Sequence, residues 1–204
     1  MRIGLYGGTF DPVHYGHLVL AETCRESCRL NEVWFIPAQI SPHKLHTKTS
    51  PPAQRIDMLE FALAGIPEFR ISRIEIERPG PSYTVETLER LTQERPADEW
   101  FLFLGADSVA DFPLWRSPSR IAELATLVIV NRGRTPAPLD AIQPLVANGR
   151  APLEVTMPGI DISATDIRHR AAAGRSIRFL VPRAVEHYIR EKKLYHHPSE
   201  PSGA

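Results

Sequence analysis

The sequence predicts an α/β fold, a doubly wound and mainly parallel sheet with a small C-terminal helical extension. Three observations predict it. Short β-rich apolar runs alternate with segments of helical period, the alternation continues through most of the chain, and a final helical stretch begins near Pro182. The strand runs are residues 2–6, 32–37, 70–75, 100–104, 126–131 and 153–157. Residues 17–29 form a crossover helix with Leu18, Ala21, Cys24 and Cys28 on one face. Residues 54–64 repeat that pattern with Ile56, Leu59, Ala62 and Leu63, and residues 84–94 with Val85, Leu88 and Leu91. Arg95-Pro96 closes the third helix, because a residue before proline is pushed out of the α region. Residues 132–138, with Gly133, Pro136 and Pro138, read as an exposed connection. Residues 177–195 read as a docked C-terminal helix, so that 1–195 is expected to be a single domain. The polar, proline-rich residues 196–204 are expected to be a disordered tail.

A chain of 204 residues buries roughly 70% of its unfolded surface, enough for one substantial core without disulfide or metal staples. Lys plus Arg and Asp plus Glu both number 24, so no global field favours nucleic acid or an anionic membrane. Recognition of an anion must then be local. The N-terminus runs into glycines with no signal-peptide pattern, and no apolar run approaches the roughly 20 residues that span a bilayer. A cytoplasmic protein is expected. Cys24 and Cys28 read as small buried hydrophobes in a reducing compartment.

In an open parallel sheet ligands gather at the carboxyl ends of the strands, so the loops after Tyr6, Pro37, Leu104 and Asn131 share one face. The first of these begins Gly7-Gly8, whose missing Cβ atoms let backbone N–H groups approach a phosphate. The helix that starts near His17 adds its positive dipole end. Neither G-x-G-x-x-G nor G-x-x-x-x-G-K-[ST] is present, so the phosphate chemistry is of another kind. His14 and His17 are three apart with Gly16 between them, a spacing that lets two imidazoles converge on one anion. Zinc is the competing use, but no cysteine or third histidine is convincingly placed, and His43 and His46 would require an unseen fold contact. No protein-held metal is expected.

Gly7-Gly8-Thr9-Phe10-Asp11-Pro12-Val13-His14-Tyr15-Gly16-His17 closely resembles the signature of the nucleotidylyltransferase superfamily. The resemblance implies a Rossmann-like fold in which Gly7, Gly8, Thr9, Phe10 and Gly16 contact ATP, while His14 and His17 bind its phosphates and stabilise the transition state. Ile162-Ser163-Ala164-Thr165-Asp166-Ile167-Arg168 resembles the second motif, with Ala164 in place of a serine. There Ser163 and Thr165 offer hydroxyls at a helix start, and Arg168, about one turn on, grips phosphate as a third catalytic residue.

The middle of the chain resembles the bacterial nicotinate mononucleotide adenylyltransferase family. Ser41-Pro42-His43-Lys44 matches the family's Pro-His-Lys stretch, which suits Lys44 to an acceptor 5′-phosphate, and Arg55 also matches a family position. Ser82-Tyr83-Thr84 opens a helix whose N–H groups favour a ring acid over a ring amide, so Tyr83 and Thr84 imply nicotinate. Gly105 and Asp107 match a Gly-x-Asp segment that the resemblance places at ATP, with Asp107 suited to ribose hydroxyls, and Trp115 matches a tryptophan that stacks on pyridine. Arg132 is a weaker candidate, for phosphate, the adenine side or the acceptor.

The implied reaction is attack of the nicotinate mononucleotide phosphate on the α-phosphorus of ATP, with Mg²⁺ on the ATP phosphates, in the biosynthesis of NAD. Rivals are relatives that prefer nicotinamide mononucleotide, pantetheine phosphate, glycerol phosphate or choline phosphate, and a non-catalytic nucleotide sensor. Helix faces of this kind suit a monomer or a symmetric homodimer equally.

Overall fold

The computed structural model describes residues 1–40, 49–133, 140, 142–146 and 150–195. The expected tail, residues 196–204, and Lys44 lie outside them. Six strands form one parallel sheet: β1 (Arg2–Gly8), β2 (Glu32–Pro37), β3 (Phe69–Ile71), β4 (Glu99–Gly105), β5 (Thr126–Arg132) and β6 (Leu153–Met157). Their order is β3-β2-β1-β4-β5-β6, and each neighbouring pair is parallel. The winding reverses between β1 and β4. A crevice opens there at the carboxyl ends of the strands, because the connections from β1 and β4 leave towards opposite faces.

Side chains alternate across the strands and so build two cores. Tyr6, Val33, Phe35, Phe101, Phe103, Val128 and Val130 face one layer. Ile3, Leu5, Ile36, Trp100, Leu102, Leu104, Leu127 and Ile129 face the other. The first layer is covered by α1 (Tyr15–Ser27), α2 (Pro52–Leu63), α7 (Ala164–Ala172) and α8 (Arg183–Glu191), which supply Leu20, Leu59, Ile167 and Val185. The second is covered by α3 (Thr84–Glu94), α4 (Ala106–Asp111), α5 (Pro118–Leu124) and the short α6 (Gln143–Val146). Cys24 and Cys28 are both free and buried in the first layer.

Two differences from the sequence reading bear on the site. The third strand ends at Ile71 rather than at 75, and residues 74–77 form a turn. That turn still sends Ile74 into the core, but it directs Glu75 to the Thr87 hydroxyl at 2.8 Å instead of to a strand neighbour. The segment after β4 contains α4, a 3₁₀ turn at Phe112–Leu114 and α5, none of which the sequence reading anticipated.

Candidate active site

The glycine loop leaves β1 at the reversal point. Gly8 is held against a ring: a Cβ there would lie 2.9 Å from Phe10 Cζ. Phe10 adopts φ +50°, a left-handed backbone that costs a non-glycine residue and persists only where contacts over-determine it. Its buried ring supplies those contacts, edge-on to Tyr6 at 5.4 Å and to His17 at 5.1 Å.

This turn delivers His14 to the N-cap of α1 and His17 to the third helical position. The two imidazoles stack with centroids 3.6 Å apart and planes 25° from parallel. The His14 backbone N–H donates to His17 Nδ1 at 3.2 Å, so in the neutral ring the proton sits on His17 Nε2 and makes that atom a donor. His14 is 5% exposed, and burial first, with the positive charge of Arg132 second, pushes its pKa down to about 4. Gly16 is what admits the His14 ring, since a Cβ at 16 would stand 3.0 Å from Nδ1 and 3.1 Å from Cε1.

The second motif closes on the first across the fold. Ser163 caps α7 by accepting from the Asp166 N–H at 3.1 Å. Arg168 Nη1 donates to the Asp11 carbonyl at 2.8 Å, and Nη2 to Thr165 Oγ1 at 3.2 Å. Arg132 ends β5 in an exposed position, and its charge acts on His14 and Tyr6. The histidines therefore lie in a region made positive by two arginines and by the N-terminus of α1.

Beside the loop lies a cavity of about 370 Å³, lined by Gly7, Gly8, Thr9, Tyr83, Thr84, Asp107 and Trp115. Arg132 is not among the described residues lining it. Tyr83 is the N-cap of α3, so the helix presents its first-turn N–H groups at the cavity. Ser82 fixes that start: its Oγ accepts from the Gln39 N–H and its N–H donates to the Ile40 carbonyl, both at 3.0 Å. Trp115 packs on Phe112 at 5.4 Å, and the Arg116 guanidinium lies 4.8 Å above the Tyr83 ring. Gly105 caps α4 rather than lining the cavity.

The cytidylyltransferase-like family model matches residues 5–170. A Thermomicrobium roseum protein named "Probable nicotinate-nucleotide adenylyltransferase" is 45% identical over 195 residues, covering 95% of this chain and 91% of the relative. A Thermus thermophilus protein of the same name is 45% identical, covering 96% and 100%. The chain belongs to the nicotinate-nucleotide adenylyltransferase family. Its fold matches that of a solved Plasmodium falciparum nicotinic acid mononucleotide adenylyltransferase complexed with NaAD, with a TM-score of 0.77 over 95% of this chain and 97% of that one, at 17% identity.

Within the nicotinate-nucleotide adenylyltransferase fold, Arg55 faces the protein's own backbone. It is 1% exposed, and its guanidinium donates to the carbonyls of Thr9 at 2.8 Å, Ala38 at 2.8 Å and Ser50 at 3.1 Å. It ties the glycine loop to the loop after β2. Glu75 escaped the sequence reading although it lines the cavity, buried and hydrogen-bonded by the Thr87 and Ser82 hydroxyls. Burial raises its pKa and the two hydroxyls partly offset that. The only sequence signal was an acidic residue closing the predicted third strand run. Among the described residues no group of three or more His, Cys, Asp or Glu could hold a metal ion, and no helix is long and apolar enough to cross a membrane.

Proposed function

We propose that this chain transfers the adenylyl group of ATP to nicotinate mononucleotide, giving nicotinate adenine dinucleotide and pyrophosphate. The observation that carries the reading is one cavity joining the glycine loop to Trp115 and the N-terminus of α3; the stacked His14–His17 pair follows on the same loop and is not among the described residues lining the cavity. Trp115 offers a face for the pyridine ring, and the first-turn N–H groups of α3 behind Tyr83 and Thr84 offer donors for a ring carboxylate. A carboxamide places an NH₂ donor against such a site and is disfavoured. Asp107, in the first turn of α4 after the Gly105 N-cap, suits ribose hydroxyls. Lys44, outside the described residues, is assigned to the acceptor phosphate on its motif alone.

An oxygen of the acceptor phosphate attacks the α-phosphorus of ATP in line, the bond to the bridging oxygen breaks, and pyrophosphate departs. The acceptor is largely ionised at neutral pH, with a second pKa of roughly 6, so no general base is required. Gly7, Gly8, Thr9 and Phe10 shape the loop that receives the triphosphate, with Gly16 giving His14 its place. His17 donates from Nε2 to the charge that grows on the phosphate oxygens. His14, neutral in the free protein, gains affinity for a proton as that charge arrives. Arg168 holds Asp11 and Thr165 with two of its five N–H donors and keeps the others for pyrophosphate, next to the Ser163 cap. Arg132 fits the ATP side, by its field at His14, better than the acceptor cavity.

Nucleotidyl transfer uses a divalent metal with ATP, and we assign Mg²⁺. That ion would be held mainly by triphosphate oxygens and water and would lower the charge of the leaving pyrophosphate. We read residues 1–195 as one domain, since Tyr188 of α8 donates to Asp57 of α2 and its ring packs on Phe61.

The test is pyrophosphate release from ATP and Mg²⁺ with nicotinate mononucleotide, nicotinamide mononucleotide, pantetheine phosphate, glycerol phosphate and choline phosphate in turn. Nicotinate mononucleotide is expected to give the highest kcat/KM. Release with another acceptor but not with this one would overturn the substrate assignment. A His17→Ala variant with full turnover would overturn the role of the histidine pair.

A further inference from the structure

Asp11 is buried one residue beyond the left-handed Phe10, and three distant parts of the chain converge on it. The Ser50 N–H donates to Oδ2 at 2.9 Å, the Tyr195 hydroxyl to Oδ1 at 2.7 Å, and Arg168 Nη1 to the carbonyl at 2.8 Å. Arg55 adds its positive charge nearby while it holds the carbonyl of Thr9.

We propose that Tyr195, beyond α8 at the far end of the described chain, is a positioning residue for adenylyl transfer: its hydroxyl fixes the Asp11 carboxylate and thereby the turn that presents His14 and His17 and whose carbonyl holds Arg168. The inference rests on the transfer reading above. Its geometry is specific. Each oxygen of the Asp11 carboxylate takes one of these donors, from segments 39 and 184 positions away in sequence. Removing the Tyr195 donor leaves one carboxylate oxygen short of a partner in a buried place, and the positive charge of Arg55 nearby is what would draw it away from its present line. The side-chain anchor of this turn would then be loosened, and the Asp11 carbonyl that Arg168 holds belongs to the same turn.

Backbone strain points the same way independently. Phe10 at φ +50° and Tyr195 at φ +67° both adopt a left-handed conformation that neither side chain favours. One adjoins the bonded pair and the other belongs to it, so the contact holds two strained segments in register. Burial and the neighbouring Asp11 also raise the Tyr195 pKa, which keeps the phenol protonated as a donor at every pH of interest.

Tyr195→Phe removes the hydroxyl and keeps the ring. At 20 °C the expected result is a kcat about tenfold lower per folded molecule with KM for ATP and acceptor within about twofold, since small misplacement of catalytic groups is felt mainly in the rate. In an Asp11→Asn background the same change is expected to have little further effect, because the shared contact is already altered. A Tyr195→Phe protein with wild-type kcat, or with equal losses in both backgrounds, would overturn the proposal. The imidazole NMR titration of His14 reads the same device without turnover: its midpoint is expected to move in Tyr195→Phe, and an unchanged titration would refute the positioning role. If the wild-type protein fails to use nicotinate mononucleotide, the transfer reading falls, while the titration still decides the role of Tyr195.

Discussion

Replacing Gly16 with alanine adds one methyl group against the ring of His14. The added carbon would lie 3.0 Å from Nδ1 and 3.1 Å from Cε1, a few tenths of an ångström closer than ordinary contact. The ring has little room to retreat, because it is buried and stacked at 3.6 Å on His17. Gly16 sits in the first turn of α1 without a positive φ, so alanine fits the backbone and gains about 1 kcal/mol of helix propensity. Overpacking of the ring costs about 1–3 kcal/mol. The two offset in part, leaving a net loss of about 0–2 kcal/mol, or a fall in Tm of roughly 0–8 °C for a chain of this size. Catalysis has no such compensation. Displacement of His14 and, through the stack, of His17 is expected to lower kcat by about 10- to 100-fold. The assay is pyrophosphate release at saturating ATP and nicotinate mononucleotide at 20 °C, paired with a thermal melt. Wild-type kcat in Gly16→Ala, or a loss of activity no larger than the loss of folded protein, would refute the reasoning.

The depressed pKa of His14 makes a second prediction. Its pKa falls from 6.5 to about 4 on folding, so between these values the unfolded chain binds the extra proton; this contribution to stability is full above pH 6.5 and is lost as pH falls to 4. The loss is about 3 kcal/mol across that window, to be measured as the difference between wild type and His14→Gln in urea unfolding at pH 7 and pH 4; a folded-state NMR pKa near 6.5 would contradict it. Arg55→Lys leaves one ammonium to serve the carbonyls of Thr9, Ala38 and Ser50. With the others left unsatisfied in a buried place, the expected loss is about 2–4 kcal/mol, seen as a lower urea midpoint, and an unchanged midpoint would remove Arg55 from the loop clamp.

Much of this fold is legible in the sequence because its signals are local. The second and sixth strand runs and the third helix coincide with β2, β6 and α3, where a continuous apolar run, an alternation and a 3.6-residue period respectively carry the signal. The segment from Ala106 to Leu124 was not legible, for α4 and α5 have six and seven residues, too few to show a period, and the prolines at 113 and 118 read as breakers. The histidine pair and Ser163 could be read because each acts within its own helix start. Arg55, Glu75 and Tyr195 could not be given roles, because their partners are backbone carbonyls or side chains brought near only by the fold.

That distinction bears on how a chain of zero net charge builds an anion site. Of three arginines near the loops after β1 and β5, Arg55 is committed to carbonyls, with the Asp11 carboxylate close enough to offset its charge. The pair is internally neutral and sets the shape of the loop. On the transfer reading, the field at the phosphates would come from Arg132, from Arg168 and from the N-termini of α1 and α7, while His14 would add charge only where an anion raises its proton affinity. A site with permanent imidazolium pairs would bind pyrophosphate and ATP alike and release product slowly. On the same reading, a His14 that is neutral in the free protein, stacked on His17, and gains proton affinity as charge develops would favour the transition state over both.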